Sequence, residues 1–286
     1  MTQQLHSLVH SPTDSEVAAY RRDGFVVMRG LFDDGEVESI RRAFMDQNKD
    51  GPTPGLSEIK HQHAGGASGY DPGDPLSFYP RMMNPHEHAT KEVGQIARRF
   101  MLDGRIKAVL EHLFGETPCA AQSMFYFKPP GARGQDFHQD NFYLKVKPGN
   151  CVAAWIAVDR CDEGNGGMMC VPETGDYPVQ CPEKADPRLY FTTEHVPIPA
   201  GKVAVLPVME PGDVLFFNGS TVHGSGPNAS ADRFRRSLIF HYVPASATEI
   251  SHWYTVLDFD GRPVTHIKVS QDGGPCGTPH ETAAPH

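Results

Sequence analysis

The second half of the chain consists of short apolar runs separated by glycine, proline and asparagine. Between residues 119 and 245 the runs are AAQSMFYFK, NCVAAWIAVD, GGMMCVP, KVAVLPV, DVLFFNG and RSLIFHYV. Short strands of this kind, bounded by turn residues, are typical of β-sandwiches and barrels. The 25 prolines and 28 glycines among the 286 residues also favour a loop-rich β fold over a helical bundle. We therefore predict a sandwich or barrel for this half of the chain.

The first half begins with a helical pattern. Residues 14–30 predict a short amphipathic helix, a break at Gly24 and a strand from Phe25 to Met28. Residues 33–47 predict a second helix, which starts with acidic residues that suit a helix N-terminus. We expect these helices to pack against the sheet.

A long irregular segment separates these helices from the β-rich half. Residues 50–88 are rich in proline and glycine and predict a lid or binding loop, whereas residues 89–114 return to helical periodicity. We expect one domain over residues 1–270, with a helical part and lid loops at about 14–115, a β core at about 119–245 and a disordered tail at 271–286.

The net charge limits the classes of partner. It is −9 at pH 7, and nucleic-acid binding depends on clustered lysine and arginine, so we expect a small-molecule partner and no nucleic acid. The N-terminal MTQQLHSLVHSPTDSE lacks the pattern of a signal peptide, and no stretch has the apolar length of a membrane span. We expect a cytoplasmic protein without a membrane partner, either a monomer or a homodimer.

The six cysteines form no C-x-x-C pair, which argues against a zinc ribbon or a dense disulfide framework. We expect mostly free, structural thiols. Cys161 and Cys181 flank one predicted loop and could form a disulfide if the compartment were oxidising.

A candidate metal site lies in FHQDNFYL, residues 137–144. His138 and Asp140 are two residues apart in a stretch with strand character, so both side chains should project from one face. His223 follows the apolar run DVLFF in a segment flanked by glycine and serine, where the backbone can approach closely. Two histidines and one carboxylate leave metal positions open, which suits iron(II) that must bind a cosubstrate and oxygen. A structural zinc site would be closed.

The pattern H-x-D followed by a distant histidine is weak by itself in a chain with 15 histidines. Arg235 and Ser237 strengthen it, because they share a face at the start of the strand RSLIFHYV. A guanidinium beside a hydroxyl matches a carboxylate through charge-assisted hydrogen bonds. A 2-oxo diacid such as 2-oxoglutarate needs such a partner for its far carboxylate.

Several ordered blocks resemble the phytanoyl-CoA dioxygenase family of iron(II)/2-oxoglutarate oxygenases, which includes ectoine hydroxylases. The blocks are YRRDGFVVMRGLF, FKPPG before FHQD, AAWIAVD, NGG leading to VPET, PGDVLFFNGSTVHGSG and RRSLIFHYVP, and they extend from about Val17 to Pro244. The resemblance implies a cupin-like double-stranded β-helix, or jelly roll, with flanking helices.

The resemblance also implies roles for individual residues. His138, Asp140 and His223 would be iron ligands and catalytic residues, and Arg235 would bind the distal carboxylate of 2-oxoglutarate. The gap from His223 to this arginine is one residue longer than is usual in the family, which leaves Arg233 and Arg236 as alternatives. Ser237 shares the face of Arg235, and three further positions match cosubstrate contacts: Ser225, Gln122 and Trp155.

The implied activity is hydroxylation of an aliphatic C–H bond of a metabolite, with O2 as cosubstrate, release of succinate and CO2, and stimulation by ascorbate. A carboxylate at Asp140 favours a hydroxylase over the related halogenases, which have a small residue there. The alternative is a non-oxidative cupin-like isomerase or an inactive binding protein.

Substrate-binding candidates lie in the long loop and beside the metal segment. They are Tyr79, Arg81, Asn84, Asn141 and Tyr143, with Arg81 suited to an anionic substrate group. A histidine pair on a glycine-rich loop is more often solvated or substrate-facing than metal-binding, so we leave His61 and His63 out of the metal set. The alternative for Trp155 is a core residue, which a lone tryptophan in an apolar strand usually is.

Overall fold

The computed structural model describes residues 11–58, 73–271 and 274–277. Its helices are α1 (Asp14–Asp23), α2 (Asp34–Gln47), α3 (Pro75–Phe78), α4 (Glu92–Met101), α5 (Gly104–Phe114) and α6 (Asn141–Leu144). Its strands are β1 (Phe25–Met28), β2 (Met82–Met83), β3 (Pro118–Tyr126), β4 (Gln135–His138), β5 (Val152–Ala157), β6 (Met168–Cys170), β7 (Glu183–Lys184), β8 (Glu194–His195), β9 (Val214–Asn218), β10 (His223–Ser225), β11 (Ser237–Pro244), β12 (Glu249–Ile250) and β13 (Lys268–Val269). None of the described helices is long and apolar enough to span a membrane.

The predicted order of helix, glycine break and strand at the start of the chain is confirmed. Thr13 and Glu16 form a reciprocal capping box that satisfies backbone N–H groups at the start of α1. The helix ends at Gly24, whose φ of 84° lies in the left-handed region. A Cβ there would lie 2.5 Å from Oγ1 of Thr221, so this turn requires glycine for space as well as for conformation.

Two antiparallel sheets form the core of the β-rich half, and β7 with β8 and β12 with β13 form two further two-stranded sheets. The larger has the strand order β1-β9-β5-β11-β3-β2, and the smaller has the order β4-β10-β6. The prediction of a mainly β fold with flanking helices is therefore confirmed.

Alternation along the strands of the larger sheet separates two apolar clusters. On β11, Phe240 and Tyr242 face the cluster that also contains Ile40 of α2 and Phe100 of α4. Ile239, which directly precedes Phe240 on the same strand, belongs to a second cluster on the opposite face. The helices therefore cover one face, and the other face points toward the smaller sheet.

Two strand predictions are wrong. The stretch KVAVLPV forms no strand but only an isolated bridge between Val205 and Cys170; Val203 is 74% exposed, and Pro207 cannot donate to a ladder. In FHQDNFYL the strand ends at His138, and helix α6 follows. The apolar residues of this second stretch pack from a helical turn instead of from an extended strand.

The expectation of mostly free thiols is confirmed for four of the six cysteines, but the one disulfide does not join the pair that the sequence suggested for an oxidising compartment. Cys181 bonds to Cys276, whereas Cys161 is a free, buried thiol. Cys119, Cys151 and Cys170 are likewise free and buried. The disulfide ties residues 274–277 of the predicted disordered tail to the segment before β7, and most of the remaining tail lies outside the described residues.

Candidate metal centre and adjoining cavities

The two candidate histidine ligands meet because their strands pair in register. His223 on β10 lies directly opposite His138 on β4, and their ring centroids are 4.2 Å apart. The approach depends on Gly224, where a Cβ would lie 2.9 Å from the backbone nitrogen of Phe137. Glycine therefore lets the strands come close enough for both imidazoles to reach one point.

Asp140 reaches the same point by a different route from the one expected. Its φ of −61° and ψ of −35° are helical, so it does not share a strand face with His138. The backbone N–H of Asn141 donates to the carbonyl of Gly219 at 2.9 Å, which fixes the turn next to β10. One oxygen of Asp140 lies 3.5 Å from Nε2 of His138 and 3.4 Å from Nε2 of His223.

The three side chains form a compact, buried group whose ligand atoms all lie within 4.8 Å of one another. Each histidine Nδ1 lies beside a backbone carbonyl: His138 beside that of Asp136 at 2.7 Å, and His223 beside that of Thr221 at 2.8 Å. Carbonyl oxygens only accept hydrogen bonds, so Nδ1 carries the proton and the lone pair of Nε2 points into the group. Burial, and then the proximity of His223, lowers the pKa of His138, which keeps the neutral imidazole that a metal requires.

The donor set fits a divalent transition metal. Two imidazole nitrogens and one carboxylate oxygen match the facial set that suits iron(II) and leaves positions open for other ligands.

A cavity lies between the two sheets at this group. The larger sheet contributes mostly apolar side chains: Met124, Tyr126, Trp155, Phe217, Ile239 and His241. The smaller sheet and its flanks contribute Gln135, His138, Asp140, Met168, His223, Gly224 and Ser225. Arg235 completes the wall. The metal group and one buried guanidinium therefore face the same space.

Arg235 differs from its two neighbours in environment. It is 3% exposed; its Nη1 donates to Oγ of Ser237 at 3.1 Å, and its carbon Cζ lies 5.2 Å from the ring centroid of Trp155. Arg233 pairs with Asp162 and Arg236 pairs with Asp159. Among these three arginines, the one that lines the cavity is therefore the one without a carboxylate partner among the described residues.

Lys128 lies in the FKPPG block, and the sequence indicates no role for it. Its Nζ donates to Oγ of Ser225 at 2.9 Å and to the carbonyl of Gly166 at 3.0 Å, and that carbonyl also accepts from Nε of Arg235 at 3.2 Å. Burial, and then the charge of Arg235, lowers the pKa of Lys128 well below its usual range. No pattern in the sequence marks this lysine, because its burial and its positive φ of 40° are visible only in the structure.

A second cavity adjoins the first and shares Tyr126, Gln135, Ser225 and Arg235 with it. Tyr79 and Arg81, two of the predicted substrate residues, line this second cavity. Arg81 forms a salt bridge with Glu58, and its Nη1 donates to the hydroxyl of Tyr126 at 2.7 Å. The expectation that Arg81 suits an anionic substrate group therefore loses its support, because Glu58 already neutralises this charge.

The other predicted contacts lie away from the cavity walls. Asn84 has a left-handed φ of 45° before a short 3-10 turn, and Oδ1 of Asn141 accepts from the backbone N–H of Val146 at 2.9 Å. Tyr143 packs into an apolar cluster, with its ring centroid 6.2 Å from that of His138. Gln122 is buried on β3 opposite His241. His61 and His63 lie outside the described residues.

Known proteins resemble this chain in sequence and in fold. Peroxisomal phytanoyl-CoA dioxygenase of Rattus norvegicus is 27% identical over 267 residues, which cover 89% of this chain and 75% of that protein. The non-heme alpha-ketoglutarate-dependent carbocyclase SnoK of nogalamycin biosynthesis superposes with a TM-score of 0.64 at 21% identity, covering 84% of this chain and 87% of its own. EctD from S. alaskensis, whose crystal structure contains 2-oxoglutarate and 5-hydroxyectoine, superposes with a TM-score of 0.61 at 20% identity, covering 85% and 82%.

The fold and the metal group together place the chain in the class of 2-oxoglutarate-dependent dioxygenases, which confirms the class predicted from sequence. The match to the model of one family is more specific still. Residues 20–237 match the phytanoyl-CoA dioxygenase (PhyH) family, and the chain belongs to that family.

Proposed function

We propose that this protein binds iron(II) through His138, Asp140 and His223 and uses 2-oxoglutarate and O2 to hydroxylate an aliphatic C–H bond of a small-molecule metabolite. Succinate and CO2 are the coproducts, and ascorbate stimulates turnover. The observation that supports this proposal most directly is that the metal group and Arg235 line one buried cavity. Bound iron(II) would supply the activation of oxygen that is coupled to the oxidation of 2-oxoglutarate.

Arg235 is the proposed partner of the distal carboxylate of 2-oxoglutarate. Among the described residues neither Arg235 nor the adjacent Lys128 forms an ion pair, although both are nearly fully buried. A buried cation without a counter-charge is costly, so this part of the cavity favours an anion. Ser237 orients the guanidinium, and Ser225 holds the ammonium group. Trp155 forms part of the wall, and Gln122 remains a predicted contact.

The apolar wall of the cavity limits the access of water to the reacting carbon. Met124, Trp155, Phe217 and Ile239 are each at most 4% exposed. The second cavity, with Tyr79 at its edge, is the proposed path for the substrate. The carboxylate of Asp140 fills the position that halogenases leave open, so we propose hydroxylation.

We also propose a specific topology and extent for the catalytic domain. Two antiparallel sheets face each other across the metal group, which supports a double-stranded β-helix, or jelly roll. We propose that residues 1–270 form one catalytic domain and that the protein acts in the cytoplasm.

The test is an anaerobic titration of the metal-free protein with iron(II) and 2-oxoglutarate. Chelation of the cosubstrate at the metal should give a weak visible charge-transfer band. His138→Ala should abolish the band, whereas His112→Ala, the same change on the exposed face of α5, should retain it. A wild-type protein that gives no band would favour the isomerase or binding-protein alternative.

A further inference from the structure

The two carboxylate oxygens of Asp140 face different groups. Oδ1 lies 3.5 Å from Nε2 of His138 and 3.4 Å from Nε2 of His223. Oδ2 lies 2.9 Å from Nε2 of His241. An ionised carboxylate only accepts hydrogen bonds, so Nε2 of His241 is the donor. One oxygen is thus engaged outside the metal group while the other faces its centre.

His241 is built into the centre of the larger sheet. It lies on β11 between Gln122 of β3 and Ala153 of β5, and it is 1% exposed. Its neighbour Tyr242 points to the opposite face, where its hydroxyl donates to the carbonyl of Met101 at 2.8 Å. Hydrogen bonding on both sides of β11 fixes the backbone of this strand, so the imidazole has little freedom to move.

We propose that His241 is a positioning residue for the metal centre: its N–H holds Oδ2 of Asp140 and so presents Oδ1 as the ligand oxygen. This inference rests on the proposed function, because it assumes that the His138, Asp140 and His223 group binds a metal. A carboxylate at the end of a short side chain can rotate, and rotation would change which oxygen faces the two imidazoles. A fixed hydrogen bond removes that freedom before the metal arrives, which lowers the cost of binding.

The position of His241 gives β11 two functions at two places along its length. Arg235 precedes the strand, and Ser237 begins it at the proposed anion anchor, whereas His241 in the middle of the strand holds the metal carboxylate. Ile239 lies between them on the same face and lines the cavity. One strand therefore sets the distance between the carboxylate ligand and the cosubstrate anchor.

The experiment measures binding of cobalt(II) to the full-length, metal-free protein by its visible absorption, without cosubstrate or turnover. His241→Leu removes the donor, His241→Gln keeps an N–H donor on a side chain of similar reach, and Tyr242→Phe removes a buried hydrogen bond on the other face of the same strand. We expect His241→Leu to raise the Kd for cobalt(II) by roughly 10- to 100-fold, the usual effect of removing an outer partner of a metal ligand. His241→Gln should recover most of the affinity, and Tyr242→Phe should bind as wild type.

Thermal unfolding of the metal-free variants separates this role from a purely structural one. If His241→Leu lowers the unfolding temperature but binds cobalt(II) with wild-type affinity, the inference is overturned. His138→Ala distinguishes this failure from failure of the proposed function. If His138→Ala binds cobalt(II) as tightly as the wild type, the proposed metal site is wrong. If His138→Ala loses cobalt(II) affinity but His241→Leu does not, only the role of His241 is wrong.

A second measurement uses the wild-type protein and therefore does not require that any variant folds. In protein with ¹⁵N-labelled histidine, the Nε2–H of His241 should remain as a slowly exchanging, hydrogen-bonded NMR signal after zinc(II) is bound. Loss of this signal on metal binding would show that Oδ2 leaves His241, and the inference would then be wrong.

Discussion

Arg233, Arg235 and Arg236 show how neighbouring residues of similar chemistry acquire different roles. Arg235 shares the face of Ser237 and points toward the cavity, whereas Arg233 and Arg236 reach Asp162 and Asp159. The shared face of Arg235 and Ser237 was predictable from their spacing. The acidic partners of the other two arginines were not, because they lie more than 70 residues away in sequence.

This difference predicts contrasting effects of the same substitution. Arg235→Gln should raise the KM for 2-oxoglutarate on the order of 100-fold, because a buried charge-assisted contact is lost, with a smaller effect on kcat. Arg233→Gln, which removes an exposed ion pair, should change the KM by less than about twofold. Steady-state succinate formation measures both, and equal effects would contradict the assignment of the anchor.

His241 and Lys128 mark the limit of residue-level prediction. The sequence places both in ordinary strand-like runs, and their importance depends on contacts with Asp140 and Ser225 that are about 100 residues away. Patterns along one strand reveal which residues share a face. They do not reveal which distant side chain that face will meet.

At the scale of elements, strand pairing assembles the candidate site. The sequence predicts the His138 and Asp140 pair on one strand, yet the chain turns into α6 directly after His138. The three residues still converge because β4 and β10 place His138 opposite His223. The prediction identified the members of the group but gave a wrong geometric reason for one of them.

The close approach of β4 and β10 predicts a strong effect at Gly224. Gly224→Ala would place a Cβ 2.9 Å from the nitrogen of Phe137, so the strands must separate. We expect a loss of about 1–3 kcal/mol in the free energy of unfolding, as for other overpacked sites, together with weaker cobalt(II) binding.

Gly226→Ala is the matched control, because a Cβ there meets no atom within 4 Å. It should retain wild-type stability and metal affinity within about 0.5 kcal/mol, as surface-like substitutions do. Denaturant unfolding and cobalt(II) titration of the two variants measure the difference. Similar behaviour of both variants would contradict a role for close strand contact in assembling the site.

At the scale of the whole molecule, the sequence predicts the helix order and the β-rich half, but not the long-range disulfide. Cys181 and Cys276 are 95 residues apart, and nothing in their local sequence indicates pairing. The disulfide is unexpected for a cytoplasmic protein, because stable disulfides are uncommon in reducing compartments.

The disulfide predicts a redox-dependent stability. A disulfide typically stabilises a fold by about 2–4 kcal/mol, mainly by restricting the unfolded chain. Cys276→Ser should lose this contribution, and its stability should no longer fall when reductant is added. Cys119→Ser, at a free buried thiol, keeps the disulfide and should be destabilised by reductant as the wild type is. Peptide mapping without reductant should recover the peptides containing Cys181 and Cys276 as one cross-linked species, and their recovery as separate peptides would contradict the pairing.

The central claim is that one cavity combines a metal group with a 2-oxoglutarate anchor to oxidise a small molecule. Its most direct test is succinate formation from 2-oxoglutarate under air with iron(II) and ascorbate, across a panel of candidate metabolites, for wild type and His138→Ala. We predict that at least one metabolite stimulates succinate formation in the wild type and that His138→Ala abolishes it. If the wild type forms no succinate, basal or stimulated, or if His138→Ala forms as much as the wild type, the proposed oxygenase function is wrong.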